Sequence, residues 1–331
     1  MKIDVVIGNP PYQESINKNS LIAIYHKFMK LAFDLSNTNC MIVPARWISD
    51  NPNGISKQEL IELRKLNNFK ELVIREDEVF INANIAGGVC YFLYDKNNKE
   101  EINLTYINKE GYIEKTNDNI IINGYIIKNS VVRQIIRKVK QIEGENYTNS
   151  NSFKQIILGS RAFTGNDIQL NTNWNQYKLV SDANYYIRYY NKKVEKAFVC
   201  ENDITASIEL VPLRKIYLHL TGPVNKDIIS KPFIGEKNSM CSRSFTVLNI
   251  LDDNEEKLQI YLKYIKTKWF RFLVSAIKNT QHANKDVYTF VPLLTDEEEN
   301  GSVEINDKYF YKKYNLSNEE IAYIENSIND M

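Results

Sequence analysis

Four apolar or small residues, Val5-Val6-Ile7-Gly8, run straight into Asn9-Pro10-Pro11-Tyr12. The first run is short and flanked by turn residues, so it reads as a buried β-strand. Two consecutive prolines then fix φ and remove two backbone donors, which ends the strand at that point. Pro10 also pushes Asn9 out of the helical region. The strand and its rigid turn are followed by the next apolar pattern. Ile22, Tyr25, Phe28, Met29, Ala32 and Phe33 recur at helical spacing, predicting an amphipathic helix within residues 20–36.

The alternation continues. CMIVPA (40–45) is a second strand and SKQELIELRKLN (56–67) a second helix, with Ser56 as N-cap and Glu59 completing a capping box. FKELVIRE (69–76) and GGVCYFLYDK (87–96) are two further strands. Strands alternating with helices predict a mostly parallel sheet covered on both faces. After Lys96 the texture becomes short strand-like pieces and polar turns. A helix bearing Arg133, Arg137, Lys138 and Lys140 follows, and EGENYTNSNS (143–152) reads as a linker. Beyond it lie irregular short strands rich in aromatics, a long helix expected from Glu255 to about Ile277, and a short capped helix in LSNEEIAYIENSI (316–328).

At 331 residues the chain can bury two cores. A formal net charge of +1 supplies no global field, so any anion-binding surface must be local. Cys40, Cys90, Cys200 and Cys241 are widely separated, form no CxxC pair and read as reduced thiols. His26, His219 and His282 are too scattered for a zinc site, so no metal is expected. With no stretch long enough to span a bilayer and no secretory signal, a cytoplasmic location and no membrane partner are expected.

The turn carries the chemistry. Open α/β sheets hold ligands beyond the carboxyl ends of their strands, which is where Asn9 to Tyr12 fall. Asn9 offers a side-chain carbonyl, the Pro10 carbonyl has no competing proline donor beside it, and Tyr12 offers a flat face and a hydroxyl. A planar group bearing a conjugated NH2 suits that set. Accepting both amino hydrogens favours a more tetrahedral nitrogen with an available lone pair. The contact strengthens as positive charge develops on that nitrogen, so it acts on the transition state. A bare Asn-Pro-Pro is an ordinary turn; the strand before it and the helix after it favour a substrate site.

DVVIGNPPYQ resembles the amine-binding motif IV of the methyltransferases that use S-adenosylmethionine. In context it is similar to the gamma-order adenine-specific DNA methyltransferases of type II and type IIG restriction–modification systems. YHKFMKLAFDLSNTNCMIVPARWISD is similar to their motif V helix and motif VI strand, and EVFINANIAGGVCYFLY resembles motif VIII, with Phe80 as its base-packing aromatic. The segment KTKWFRFLVSAIKNTQHANKDVYTFVPLL is similar to the C-terminal parts of the same group. The resemblance implies an α/β fold: a partial Rossmann-like methyltransferase sheet, its C-terminal half only, over residues 1–127. A helix and linker over 128–150 and a mixed α+β target recognition domain over 151–331 would follow. It further implies methylation of the exocyclic amine of an adenine extruded from duplex DNA. Asn9 and the Pro10 carbonyl would accept the amino hydrogens, Pro11 would hold the turn, and Tyr12 and Phe80 would pack on the base.

One departure stands against this pattern. The Gly-rich cofactor loop of the family precedes motif IV, and only Met1, Lys2 and Ile3 precede residue 4 here. Gly87-Gly88 leads into a strand and does not serve instead. The expectation is that this chain alone binds S-adenosylmethionine weakly or not at all and has no methyltransferase activity. A separate N-terminal methyltransferase half or a restriction subunit would be its protein partner. DDNEEK (252–257) has the letters of a nuclease site but reads as a solvated helix start.

For the second half, the expected DNA contacts are Lys154, Arg161, Arg188, Tyr189, Lys192, Lys193, Arg243, Lys278 and Gln281. Arg and Gln can read base edges, while Lys and Tyr mostly hold phosphates. The competing readings are a non-enzymatic DNA specificity protein and a methyltransferase for a protein glutamine or RNA.

Overall fold

The structure is a computed structural model. It describes residues 3–17, 20–48, 52, 54–64, 68–80, 85, 87–117, 119–159, 162–163, 185–190, 193–278 and 280–331. The chain divides into two compact units, Met1–Gln134 and Ile135–Met331. The division falls inside the helix that the sequence predicts after residue 128.

Unit 1 begins with β1 (Val5–Gly8), the β2–β3 hairpin (Gln13–Asn17 and Ser20–Ala23), α1 (Tyr25–Leu35) and β4 (Thr38–Pro44). It continues with α2 (Lys57–Arg64), β5 (Phe69–Arg75), β6 (Val89–Asp95), β7 (Asn103–Ile107) and β8 (Ile113–Thr116). A small β9–β10 hairpin (Ile121–Ile122, Tyr125–Ile126) and α3 (Ser130–Glu143) follow. The main sheet has the order β1-β4-β6-β5-β7-β8. It is mixed, which corrects the mostly parallel expectation. β1 and β4 are parallel because α1 carries the chain back across the sheet, and β5 and β7 are parallel. β6 runs antiparallel to both β4 and β5, since no helix is described between Arg75 and Val89 to reverse its direction.

Helix α1 starts later than its apolar period suggests. Gln13↔Ala23 pairing draws Ser20–Ala23 into a strand, and Ile24 takes φ −125° before the helix begins. Tyr25, Met29, Ala32 and Phe33 then form the buried stripe, while Phe28 turns outward. Phe33 stacks on Tyr94 with centroids 4.2 Å apart, and Phe69 meets Phe92 edge-on at 5.1 Å. Each such buried side chain stabilises the unit by about 1.5–3 kcal/mol. The α2 capping box is present: Ser56 N donates to Glu59 Oε2 (3.0 Å) and Glu59 N to Ser56 Oγ (3.2 Å).

Unit 2 continues α3 into α4 (Tyr147–Ser150). Where the sequence suggests a linker, Tyr147 is buried and its hydroxyl donates to the Phe290 carbonyl at 3.0 Å. Next come β11 (Ile157–Leu158), β12 (Tyr185–Tyr190), β13 (Glu195–Cys200), β14 (Lys215–His219), β15 (Phe233–Gly235), β16 (Ser239–Cys241) and β17 (Phe245–Leu248). They form one sheet of order β11-β17-β14-β15 and another of order β13-β12-β16. α5 (Glu255–Lys266), α6 (Lys268–Ser275), α7 (Asp296–Glu299), α8 (Asp307–Lys313) and α9 (Asn318–Ser327) complete the unit. The expected long helix is broken at Thr267, whose extended ψ of 149° ends α5 and whose side chain caps α6 through Phe270 N. Trp269 stacks on Tyr314 at 4.7 Å, and fully buried Glu298 accepts from Thr295 N, Tyr309 Oη and Lys313 Nζ at 2.7–2.9 Å. Among the described residues no helix is long and apolar enough to cross a membrane.

Candidate active site and nucleic-acid interface

The carboxyl ends of β1, β4 and β5 lie at one edge of the unit 1 sheet, together with the start of antiparallel β6. That edge gathers Asn9–Tyr12, Ala45–Trp47, Glu76–Phe80 and Gly87–Gly88. From β1 to β5 there are three inter-strand steps, about 14 Å, with the end of β4 and the start of β6 between them.

The Asn-Pro-Pro-Tyr turn is pinned at its far end, where the Tyr12 carbonyl accepts from Ile24 N at 3.1 Å. Asn9 is exposed, and its carboxamide has no protein partner among the described residues. Tyr12 is half-buried. Its hydroxyl points inward, is shielded from solvent and finds no hydrogen-bond partner among the described residues. Burial, with the nearby Cys90 thiol adding, raises the Tyr12 phenol above its ordinary pKa.

Behind the turn, fully buried Cys90 accepts a hydrogen bond from Trp47 Nε1 at 3.3 Å, and burial pushes its thiol up to about 12. It is therefore a protonated packing group. Arg64 Nε donates to the Trp47 carbonyl at 2.7 Å and fixes the segment after β4. Gly88 sits where the end of β5 crosses the start of β6. Its φ is +78°, and a Cβ there would lie 2.1 Å from the Arg75 carbonyl oxygen. Only glycine permits that approach. Gly88 O also accepts from Ala45 N at 3.0 Å, tying three strand ends together. Sequence reasoning set aside Gly87-Gly88 as irrelevant to a cofactor loop; its role is this crossing. A glycine pair directly before an apolar strand run was the available signal.

Phe80 lies on the segment after β5 and is half-buried. The base of that segment is braced. Arg75 Nε donates to Asp77 at 3.0 Å, and Glu76 accepts from Tyr106 Oη at 2.9 Å and from Lys128 Nζ. Burial opposes ionisation of Glu76, but Lys128 and Tyr106 outweigh it and hold the carboxyl below its ordinary pKa. Glu76 and Asp77 are thus both paired anions and not free bases.

In unit 2 the expected DNA-contact residues divide. Arg188 is fully buried in β12 and Tyr189 nearly so, with Tyr189 Oη accepting from Glu236 N at 3.0 Å. Neither side chain is open to solvent in the way the sequence reading expects. The β12 strand is central in its sheet, and these consecutive residues point to opposite faces, so both faces of the sheet are covered at this position. Lys278 is 8% exposed and its Nζ donates to the Pro223 carbonyl at 2.8 Å, and Lys154 pairs with Asp286 at 2.5 Å. Arg243 is half-buried. Lys193 and Gln281 are exposed. Arg161 and Lys192 lie outside the described residues.

At the carboxyl edge of the unit 1 sheet the chain thus presents a stiff turn bearing an exposed carboxamide and a half-buried tyrosine. The family that this part of the chain matches is described as Eco57I restriction-modification methylase, over residues 1–80. An uncharacterized adenine-specific methylase of Mycoplasma pneumoniae is 38% identical over 104 residues, covering 29% of this chain and 24% of that protein. The chain thus spans about a quarter of the length of that relative. Among solved structures, the type IIG restriction endonuclease BpuSI covers 98% of this chain and 53% of its own, at 12% identity and TM-score 0.35. The type ISP restriction-modification enzyme LlaBIII bound to DNA covers 95% and 29%, at 12% identity and TM-score 0.41.

Proposed function

We propose that this chain is the substrate-side part and DNA reader of an adenine-specific DNA methyltransferase within a restriction–modification system. The observation that carries the reading is the unpartnered Asn9 carboxamide, exposed in an Asn-Pro-Pro-Tyr turn inside the 1–80 match. The curated relative's description as an adenine-specific methylase supports the choice of base.

Asn9 Oδ1 and the Pro10 carbonyl accept the two hydrogens of the adenine amine. Pro10 and Pro11 hold those acceptors without offering a donor that would compete for them. As the nitrogen shares its lone pair with the incoming methyl carbon, positive charge grows on it and both contacts strengthen. The surplus proton leaves to solvent afterwards, so the pairing of Glu76 costs the reaction nothing. Tyr12 packs on the extruded base, and Phe80, on the segment after β5 at the same edge of the sheet, closes over it.

S-adenosylmethionine is the methyl donor that the family match suggests. The described residues form the amine side only. The Gly87-Gly88 pair is consumed by the crossing at Arg75, and the other glycines of unit 1 stand singly in the sequence, so no donor cradle is assigned and no step is routed through one. Apolar surface supports the reading that further polypeptide completes this side. Val5 and Ile7 of the edge strand β1 are 49% and 79% exposed. Phe28, Leu31 and Leu35 make a second, exposed stripe on α1 at helical spacing. A helix apolar on two faces calls for partners on both, and an open apolar strand edge calls for a neighbour. We assign unit 1 to catalysis and unit 2 to DNA, with the chain inactive by itself.

The test is expression in a host without adenine methylation, followed by base-resolved mapping of N6-methyladenine. The chain alone is expected to leave DNA unmodified. Together with the donor-side polypeptide it is expected to methylate one sequence, and Asn9→Ala is expected to abolish this. Methylation by the chain alone would refute the incomplete-site reading; modification of cytosine only would refute the choice of base.

A further inference from the structure

Unit 2 holds a cleft of about 690 Å³ at the end of β14, within the size range of small-molecule sites. It is built by backbone pairing. Gly222 N donates to the Gln281 carbonyl and Ala283 N to the Leu220 carbonyl, both at 2.7 Å, so residues 220–222 and 281–283 run side by side. Thr221 and His282 form an antiparallel bridge in that pair. On the other side the chain returns tightly against Gly222, where a Cβ would lie 3.0 Å from Ser230 N. Ser230 Oγ donates to the Thr221 carbonyl at 3.2 Å and closes the wall.

The lining combines one aromatic face with polar groups that the protein leaves unused. Phe233 is half-exposed, and its ring is held by Tyr217 in a stacked arrangement at 5.3 Å and by Phe245 and Tyr189 edge-on at 5.7 and 5.2 Å. His219 packs on Phe245 at 4.8 Å, and burial keeps its imidazole below the ordinary pKa, hence neutral with one donor and one acceptor. The side chains of His219, Thr221, Lys231 and Gln281 make no hydrogen bond or ion pair among the described residues. Lys231 and Gln281 are exposed at the rim.

We infer that this cleft binds an adenine nucleotide, as a second nucleobase site in the other unit from the Asn-Pro-Pro-Tyr turn. Phe233 gives the base a rigid face to stack on, as in sequence-tolerant nucleobase platforms. The Gln281 carboxamide presents a donor and an acceptor that match N7 and the N6 amine of adenine. His219 and Thr221 take a further base edge or the ribose, and the Lys231 ammonium takes the phosphate. The occupant is either a nucleotide of DNA, unstacked into the cleft, or a free mononucleotide; both present the same chemistry. The inference does not depend on the methyltransferase reading.

The experiment titrates the full chain with adenosine, guanosine and cytidine monophosphates by calorimetry, and repeats the adenosine series for variants. Saturable binding of the adenine nucleotide, at least 10-fold tighter than the cytidine one, is expected. Gln281→Ala is expected to weaken it at least 10-fold and to erase the preference for adenine. Lys231→Ala is expected to weaken the monophosphate but not adenosine. Both residues are exposed, so folding is not at stake. Asn9→Ala is expected to leave this binding unchanged, which separates it from the catalytic turn. Competition by a duplex carrying an unpaired adenine identifies the DNA nucleotide as the occupant; binding without such competition identifies the free nucleotide. No saturable binding, equal affinity for all three bases, or unaltered binding by Gln281→Ala would overturn the inference.

Discussion

Gly88→Ala tests how the catalytic edge is held. The new methyl would stand 2.1 Å from the Arg75 carbonyl oxygen, 3.0 Å from the Arg75 carbonyl carbon and 3.1 Å from the Glu76 Cα, all of them backbone. Nothing there can swing aside as a flexible side chain would. Relief requires the end of β5 to part from the start of β6, which also moves the segment leading to Phe80. A left-handed conformation costs an alanine about 1–2 kcal/mol, and forced repacking adds about 1–3 kcal/mol. The sum is about 2–5 kcal/mol, a large share of a unit's stability. Gly87→Ala is the control. Its φ of +86° carries the same conformational cost, but its Cβ meets only the Arg46 Cγ at 3.0 Å, on a side chain that can rotate. Hydrogen exchange read by mass spectrometry reports each unit separately. Peptides of β4 and β6 are expected to exchange about 30- to 5,000-fold faster in Gly88→Ala, and much less so in Gly87→Ala. A change under fivefold in Gly88→Ala, or equal changes in both, would refute the backbone-crossing account.

In an assembled enzyme, Asn9→Ala is expected to lower turnover by about 100-fold or more while DNA affinity changes less than threefold, since the lost contact is strongest in the transition state; single-turnover kinetics with a filter-binding titration checks this. Tyr12→Phe removes a buried hydroxyl that has no partner among the described residues, so it is expected to leave unit 1 as stable or about 1 kcal/mol more stable in urea melts, whereas Tyr12→Ala is expected to lose the flipped-base signal of a fluorescent adenine analogue. Glu59, held down to about 2 by the Ser56 backbone N–H, Lys30 and the Ser56 hydroxyl, has a folded pKa below its unfolded value. Its stabilising contribution is therefore complete above about pH 4.5 and lost as pH falls toward 2; acid-unfolding curves of Glu59→Gln should lack that part of the slope. Arg188→Ala is expected to destabilise unit 2 without altering the salt slope of DNA binding, while Lys193→Ala is expected to reduce that slope by about one and spare stability.

Local chemistry made part of this protein legible in one dimension. Two prolines end β1 wherever the rest of the chain goes, and the Ser56–Glu59 and Ser317–Glu320 capping boxes start α2 and α9 through contacts three residues apart. The chemical character of Asn9–Tyr12 follows from residue type alone. What tertiary structure decided lies in long-range pairing. Whether β6 returns antiparallel between β4 and β5 depends on partners 14 to 57 residues away, and the same apolar run fits either direction. The helical period over residues 20–36 is real, yet pairing with Gln13–Ser15 claims its first turn for a strand. Arg188 looked like a surface cation in sequence because basic residues usually are; in the fold it lies on the central strand of its sheet, under packing that covers its face. The cleft around Phe233, His219 and Gln281 was invisible for the same reason. It exists only because backbone bonds bring residues 219–222, 230–233 and 281 together, and side chains scattered over some sixty positions acquire a common ligand only once the chain has closed on itself.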